Sequence, residues 1–305
     1  MVGIALMFII SLSKISLMLD WFPNADHVPI YVAQEHGIFK KHGLKVNILV
    51  PAETADPLKI AATGKVDVAI NYMPEVIIAR SQGLKVKSIG ILVEHPLITV
   101  LYLKDSGIRT PADLKGKKIG YAVPHLQEIL FRAFARYNGL KDGDYELINI
   151  GFNITPSLLT HKVDAVIGAY RNYEKNEVEL EGKKPGVFLL EKNGIPDFYE
   201  LIFISSDRTI SKKKNQLKAF VEAIDEAIKW TRMHPDEALK LYFKANPDVR
   251  KELDRKAFFD TINLYAHTQV QSYIKWKKFI DFALKEKIIT KPVKPEDVFV
   301  NLIGK

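Results

Sequence analysis

The stretches Gly64–Val76, GKVDVAINYMPEV, and Lys162–Glu177, KVDAVIGAYRNYEKNE, follow one grammar. Each opens on Lys-Val-Asp, passes through a short apolar run, and ends on tyrosine, asparagine and glutamate. An unbroken run of this kind is the signature of a strand buried on both faces, as parallel strands are. A buried strand that ends in aromatic and hydrogen-bonding side chains delivers those groups to the edge of a sheet. Open α/β sheets bind ligands at the C-terminal ends of their strands. Two such endings in separate blocks of similar size imply two lobes whose strand ends face one another across a cleft.

Working outward, strand and helix patterns alternate. KISLMLDW reads as a strand ending at Trp21, VPIYVAQEHG as a helix with Pro29 in its first turn and Gly37 at its C-cap. LKVNILV, ADPLKIAATG, KVDVAINY and PEVIIARSQG continue the alternation, and TPADLKGKKIGYAV restarts it before LQEILFRAFARYNG, DYELINIG, ITPSLLTHK and KVDAVIGAY. This predicts α/β lobes, each a mostly parallel sheet flanked by helices. From YELIFISS onward the chain turns helical. The expected division is residues 14–100 plus 204–305 as one lobe and 101–203 as the other, hinged near Leu97 to Leu103 and Tyr199 to Ser205.

Composition narrows the function. At 305 residues, with 47% hydrophobic and 26% charged residues, the chain matches ordinary globular proteins. It has no cysteine, which removes disulfides, thiolate metal sites and cysteine nucleophiles. The net charge of +8 comes from scattered lysines, SKKKNQ being the one tight run, so no nucleic-acid partner is expected. Motifs for a serine elbow, a phosphate loop, a dinucleotide fold and a zinc helix are all missing. No metal and no cofactor are expected. The apolar run Ile4 to Ile10 is too short to span a bilayer; with Ser11 and Ser13 after it, residues 1–13 read as an export signal, and a first buried strand is the competing reading. An uncleaved membrane anchor also fits this segment.

The candidate binding residues follow from position. DWFPNADHVPIY puts Trp21, Asn24 and His27 between the first strand and the first helix. Trp21 supplies one face for a flat heteroaromatic ring, and Tyr72 or Tyr170 the other, a geometry worth about 0.5–1.5 kcal/mol beyond buried area. Asn71 and Asn172 join the set by offering donors and acceptors, Glu174 and Glu75 by accepting from an amine, and Tyr121 by ending the strand KKIGYAV. Asp67 and Asp164, at the strand starts, read as structural.

LDWFPNADHVPIYVAQEHGIFKKHGLKVNI, GKVDVAINYMPE, LKGKKIGYA and VDAVIGAYRNYE resemble the thiamine-pyrimidine precursor family, from about Ile15 to Phe203. That family includes solute-binding proteins of ABC importers, with the two-lobed type II periplasmic binding protein fold, and fungal-type enzymes that build the thiamine pyrimidine from pyridoxal phosphate and a histidine of their own. The resemblance implies that Trp21, Asn24, Tyr170 and Glu174 hold the ring. It also implies that the enzyme branch carries a lysine and a histidine where this chain has Asn71 and Glu75, a glycine-rich phosphate cradle where it has YAVPHLQE, and a cysteine motif. The expectation is therefore a non-enzymatic, monomeric, extracytoplasmic protein that takes a small aminopyrimidine such as formylaminopyrimidine to an ABC permease. The alternatives are a pyridoxal-phosphate-dependent synthase, or a binding protein for riboflavin, a sulfonate or another aromatic solute, for which Arg80 and Arg171 would supply charge.

Overall fold

The computed structural model describes residues 11–304; the N-terminal apolar run, and with it most of the expected export signal, lies outside the described residues. Among the described residues, ten strands form two five-stranded sheets. The first contains β1 (Ser13–Met18), β2 (Leu44–Leu49), β3 (Val68–Asn71), β4 (Val86–Val93) and β10 (Leu201–Ser206), in the order β2-β1-β3-β10-β4. The second contains β5 (Ile98–Leu103), β6 (Lys118–Tyr121), β7 (Glu146–Asn149), β8 (Ala165–Tyr170) and β9 (Pro185–Leu189), in the order β7-β6-β8-β5-β9.

The two orders are the same pattern. In each sheet the fourth position is taken by a strand that has crossed from the other sheet, β10 in the first and β5 in the second, and it pairs antiparallel with both neighbours. The other four strands of each sheet run one way. The sheets are thus mixed in pairing, yet mostly parallel in direction. The Lys-Val-Asp strands, β3 and β8, hold the equivalent central place beside the crossing strand. Asp67 accepts the Ser16 N–H and hydroxyl on β1, and Asp164 accepts the Lys118 N–H on β6. Each aspartate therefore ties the start of its strand to the parallel neighbour, as a structural residue should.

Helices cover both sheets. Val28–Glu35 carries Pro29 in its first turn and ends before Gly37, whose φ of 79° lets the chain reverse. The longest helix, Lys214–Met233, buries Leu217, Phe220, Val221, Ile224, Ala227 and Ile228, three to four residues apart, so one stripe meets the sheet and the opposite face stays wet. Phe220 stacks on Phe39 and meets Phe203 of β10 edge-on. No helix among the described residues is long and apolar enough to cross a membrane.

Candidate functional site

A cavity opens where the C-terminal ends of β1, β3, β6 and β8 converge. The space between its walls, hereafter the slit, is about 600 Å³ and is partly open to solvent.

On the first-sheet side, the chain leaves β1 through buried Asp20 and half-buried Trp21. Asp20 accepts from the Tyr72 hydroxyl at 3.0 Å on Oδ2 and meets His27 Nε2 at 2.9 Å on Oδ1. His27 Nδ1 accepts the Asn24 N–H at 3.3 Å, which puts the imidazole proton on Nε2, facing Asp20. Asn24 Oδ1 accepts the Asp26 N–H and Nδ2 donates to the Phe22 carbonyl, so Asn24 caps its own turn while lining the slit. Burial and the Asp20 charge hold the Tyr72 phenol well above its usual range, so it remains a donor.

On the second-sheet side, Gln127 Oε1 accepts the N–H groups of Ala122 and Val123, fixing the turn after β6. The Tyr170 N–H donates to Glu174 Oε2 at 2.7 Å, which folds the glutamate back under the strand end. The Tyr170 hydroxyl donates to Glu200 Oε1 at 3.3 Å, and Glu200 Oε2 accepts the N–H groups of Leu97 and Ile98 at 2.6 and 3.0 Å. Burial pushes Glu174 up to about 8, against the pull of backbone N–H donors. Burial likewise pushes Glu200 up to about 7.

The wall combines three acidic side chains, Asp20, Glu174 and Glu200, with Trp21, Tyr72, Tyr170 and Tyr173. Among the described residues lining it there is no lysine, arginine or histidine. Such a wall suits a flat ligand that donates hydrogen bonds or carries positive charge, and it opposes an anion.

Of the ten residues expected at a site, the structure brings Trp21, Asn24, Tyr72, Tyr170 and Glu174 to the slit. The other five lie off its wall, each for a local reason. His27 is wholly buried behind Asp20. Asn71 is the last residue of β3 and is buried. Glu75 is one helical turn on; burial pushes it up to about 7 while the Asn71 side chain and Lys59 pull it back. Tyr121 is partly exposed at the end of β6 and pairs with Glu128. Asn172 is buried between segments of both sheets: Nδ2 donates to Asp26 Oδ1 at 2.7 Å and Thr261 Oγ1 at 2.6 Å, and its carbonyl accepts from Asn176. Asn172→Ala should therefore cost about 1–3 kcal/mol of stability through the partners left unpaired. Urea unfolding within 0.5 kcal/mol of the parent would contradict that assignment.

Asp20, Gln127, Phe198 and Glu200 were not among the expected residues, although all four line the slit. Asp20 had a signal, an acid closing an apolar strand beside Trp21. Glu200 had a weaker one, an acid opening LIFISS; Gln127 looked like any helical glutamine.

Residues 24–238 match the family described as NMT1/THI5 like. A Haemophilus influenzae protein named for thiamine biosynthesis is 37% identical over 291 residues, covering 95% of this chain and 92% of its own length. The formylaminopyrimidine-binding protein of Halalkalibacterium halodurans is 30% identical over 303 residues, 96% of this chain and 91% of its own. A 4-amino-5-hydroxymethyl-2-methylpyrimidine phosphate synthase of Saccharomyces cerevisiae is 29% identical over 289 residues, 92% of this chain and 85% of its own. Among solved structures, the periplasmic aliphatic sulphonate-binding protein of Escherichia coli matches with a TM-score of 0.70 at 16% identity, covering 96% of this chain and 94% of that one. The architecture is that of the periplasmic binding proteins.

Proposed function

This chain belongs to the NMT1/THI5-like family, and from that premise we propose that it is a solute-binding protein that captures an aminopyrimidine precursor of thiamine between its two sheets. The observation that carries the reading is the composition of the slit: stacking rings, three acidic groups and, among the described residues, no basic lining residue. A 4-aminopyrimidine is flat, donates through its exocyclic amine and protonates on the ring, so each of its features has a partner there. The formylaminopyrimidine-binding relative supports this cargo.

The same wall argues against the rivals. A sulfonate or a phosphate in this slit would face carboxyl groups with no cation to pair with. Arg171 is bound to Glu191 and Arg80 to Asp207, which removes both arginines that could have served a sulfonate. The synthase reading, favoured by the yeast relative, needs pyridoxal phosphate bound where this chain has Asn71, Glu75 and an acidic slit. Mixing the protein with pyridoxal phosphate should give no imine absorbance band.

In this reading the lobes divide at the two crossings. Because β5 lies wholly in the second sheet and β10 in the first, both cuts move three residues toward the N-terminus from the expected 100/101 and 203/204. Delivery to an ABC permease, an extracytoplasmic site of action, the export role of residues 1–13 and a monomeric state complete the proposal.

The test is a thermal-shift and calorimetry panel of formylaminopyrimidine, hydroxymethylpyrimidine, thiamine, riboflavin and pyridoxal phosphate. A ligand that binds only the folded state raises the melting temperature. The aminopyrimidines should do so, and pyridoxal phosphate should not. Glu174→Ala should weaken aminopyrimidine binding by about 1–3 kcal/mol, because among the described residues no side chain donates to Glu174 and the ligand amine is its natural partner. An unchanged Kd in calorimetry takes Glu174 out of the site; a melting shift with riboflavin or pyridoxal phosphate alone overturns the cargo.

A further inference from the structure

The chain passes between the sheets twice after β1, from β4 to β5 through residues 94–97 and from β9 to β10 through residues 190–200. Glu200 is the last residue of the second crossing, and the N–H groups it accepts belong to Leu97 and Ile98 at the end of the first. One buried carboxyl group therefore ties the two crossings to each other. Its other oxygen accepts from Tyr170 at the end of β8, so two of the three bonds reach second-sheet strands, β5 and β8, and the third reaches Leu97 in the first crossing. Glu200 also faces the slit.

We propose that Glu200 is a positioning residue that couples occupancy of the slit to the closed arrangement of the two sheets. The inference rests on the slit being the ligand site. A ring held against Tyr170 fixes that side chain and with it the bond to Glu200. Glu200 then holds the two crossings as a single axle instead of two strands free to twist separately. The present arrangement is closed: Trp21 and Phe152, from opposite sides, pack at 4.4 Å, and Thr54 Oγ1 donates to the Ala122 carbonyl at 2.8 Å. A ligand shifts such an equilibrium only through a contact that differs between the two states, and the Tyr170–Glu200 link is one that opening would stretch.

The chain contains no cysteine, so two introduced thiols report on closure without background. Spin labels on A52C and N153C, exposed positions beside Thr54 and Phe152, give the distance between opposite lips of the slit by pulsed electron paramagnetic resonance. In the ligand-free protein, E200A should raise the open-to-closed ratio about tenfold, the factor for losing the one of its three hydrogen bonds that opening stretches, from Tyr170. E200Q, whose amide oxygen still accepts both backbone N–H groups, should restore most of the closed population. With saturating formylaminopyrimidine, the parent protein should sharpen to the short distance, whereas E200A, saturated in its turn, should keep the long-distance population. If ligand closes E200A as completely as the parent, the coupling is wrong although the binding reading stands. If no aminopyrimidine binds the parent, the binding reading falls, and the ligand-free comparison still decides: identical distributions for E200A and the parent overturn the role of Glu200.

Discussion

Acidifying the ligand-free protein from about pH 9 to about pH 6 should raise its melting temperature by on the order of 5 °C. Five acidic side chains around the slit and behind it sit above the usual carboxylate range, in every case with burial as the leading cause. Asp26 is pushed up to about 6, Glu75, Glu200 and Asp254 to about 7, and Glu174 to about 8. The sign follows from linkage. A carboxyl group whose proton affinity is higher in the folded state contributes stability fully below its unfolded range, and that contribution is lost as pH rises through the folded value. The loss therefore begins near pH 4, in the unfolded carboxylate range, and ends near pH 8, and the part read by this experiment falls between about pH 6 and pH 8. Carboxylates held below their usual range, such as Asp113, Asp142, Asp144 and Glu226, stay ionised throughout that window and add no slope. A tenfold change in proton affinity is worth about 1.4 kcal/mol. The groups do not add, because Asp26 acts on Glu174, Glu200 and Asp254, and the set titrates together. A net change of about 3 kcal/mol remains a conservative figure. Scanning calorimetry at fixed ionic strength checks it; a flat profile, or stability that rises with pH, would contradict the burial of these acids. Saturating aminopyrimidine should flatten the slope, because a donor on Glu174 favours its ionised form.

The two Lys-Val-Asp strands carried most of the legible information. A strand buried on both faces reads as an apolar run, and the polar residues that stop it mark the sheet edge, so β3 and β8 and their tyrosines were readable in advance. Single side chains at the edge were harder. Asn71 and Tyr72 are adjacent, and a strand's alternation sends neighbours to opposite faces; without the end of β3 fixed to one residue, both qualified. Asn172 and Tyr170 present the same ambiguity across the turn that follows β8. β9 carries no strand signal, because Pro185 and Gly186 argue against a strand. It is tolerated as the outer strand of its sheet, and Gly186 leaves room for the Tyr102 ring, which would lie 2.4 Å from an added Cβ. Glu200 was hidden for another reason. Its importance comes from Leu97 and Ile98, about a hundred residues away in sequence, and only the crossing topology brings them together.

Gly168→Ala should be the most damaging single-methyl change in the second lobe, costing about 3–5 kcal/mol of stability. Gly168 interrupts the pairing of β5 with β8: Thr99 faces Ala169, Val100 faces Ile167, and Gly168 is the extra residue between. It is a bulge, and its φ of 104° lies where side-chain-bearing residues are strained. The bulge bends the strand end, and two residues later Tyr170 meets the slit. An alanine there has nowhere to go, since its Cβ would stand 2.2–2.4 Å from the amide atoms of Gln127. Gln127 cannot simply swing aside. Its Oε1 accepts the buried N–H groups of Ala122 and Val123, and displacing it leaves both unpaired. Gly120→Ala provides the contrast. Its added Cβ would approach the Ile150 Cδ1 methyl at 2.7 Å, but that methyl is the end of a flexible side chain, and Gly120 has no positive φ. The expected cost is about 1–3 kcal/mol, overpacking alone. Urea melts of the two variants side by side distinguish the cases. Equal losses, or a larger loss at Gly120, would mean that neither the bulge nor the Gln127 clamp holds the slit in shape.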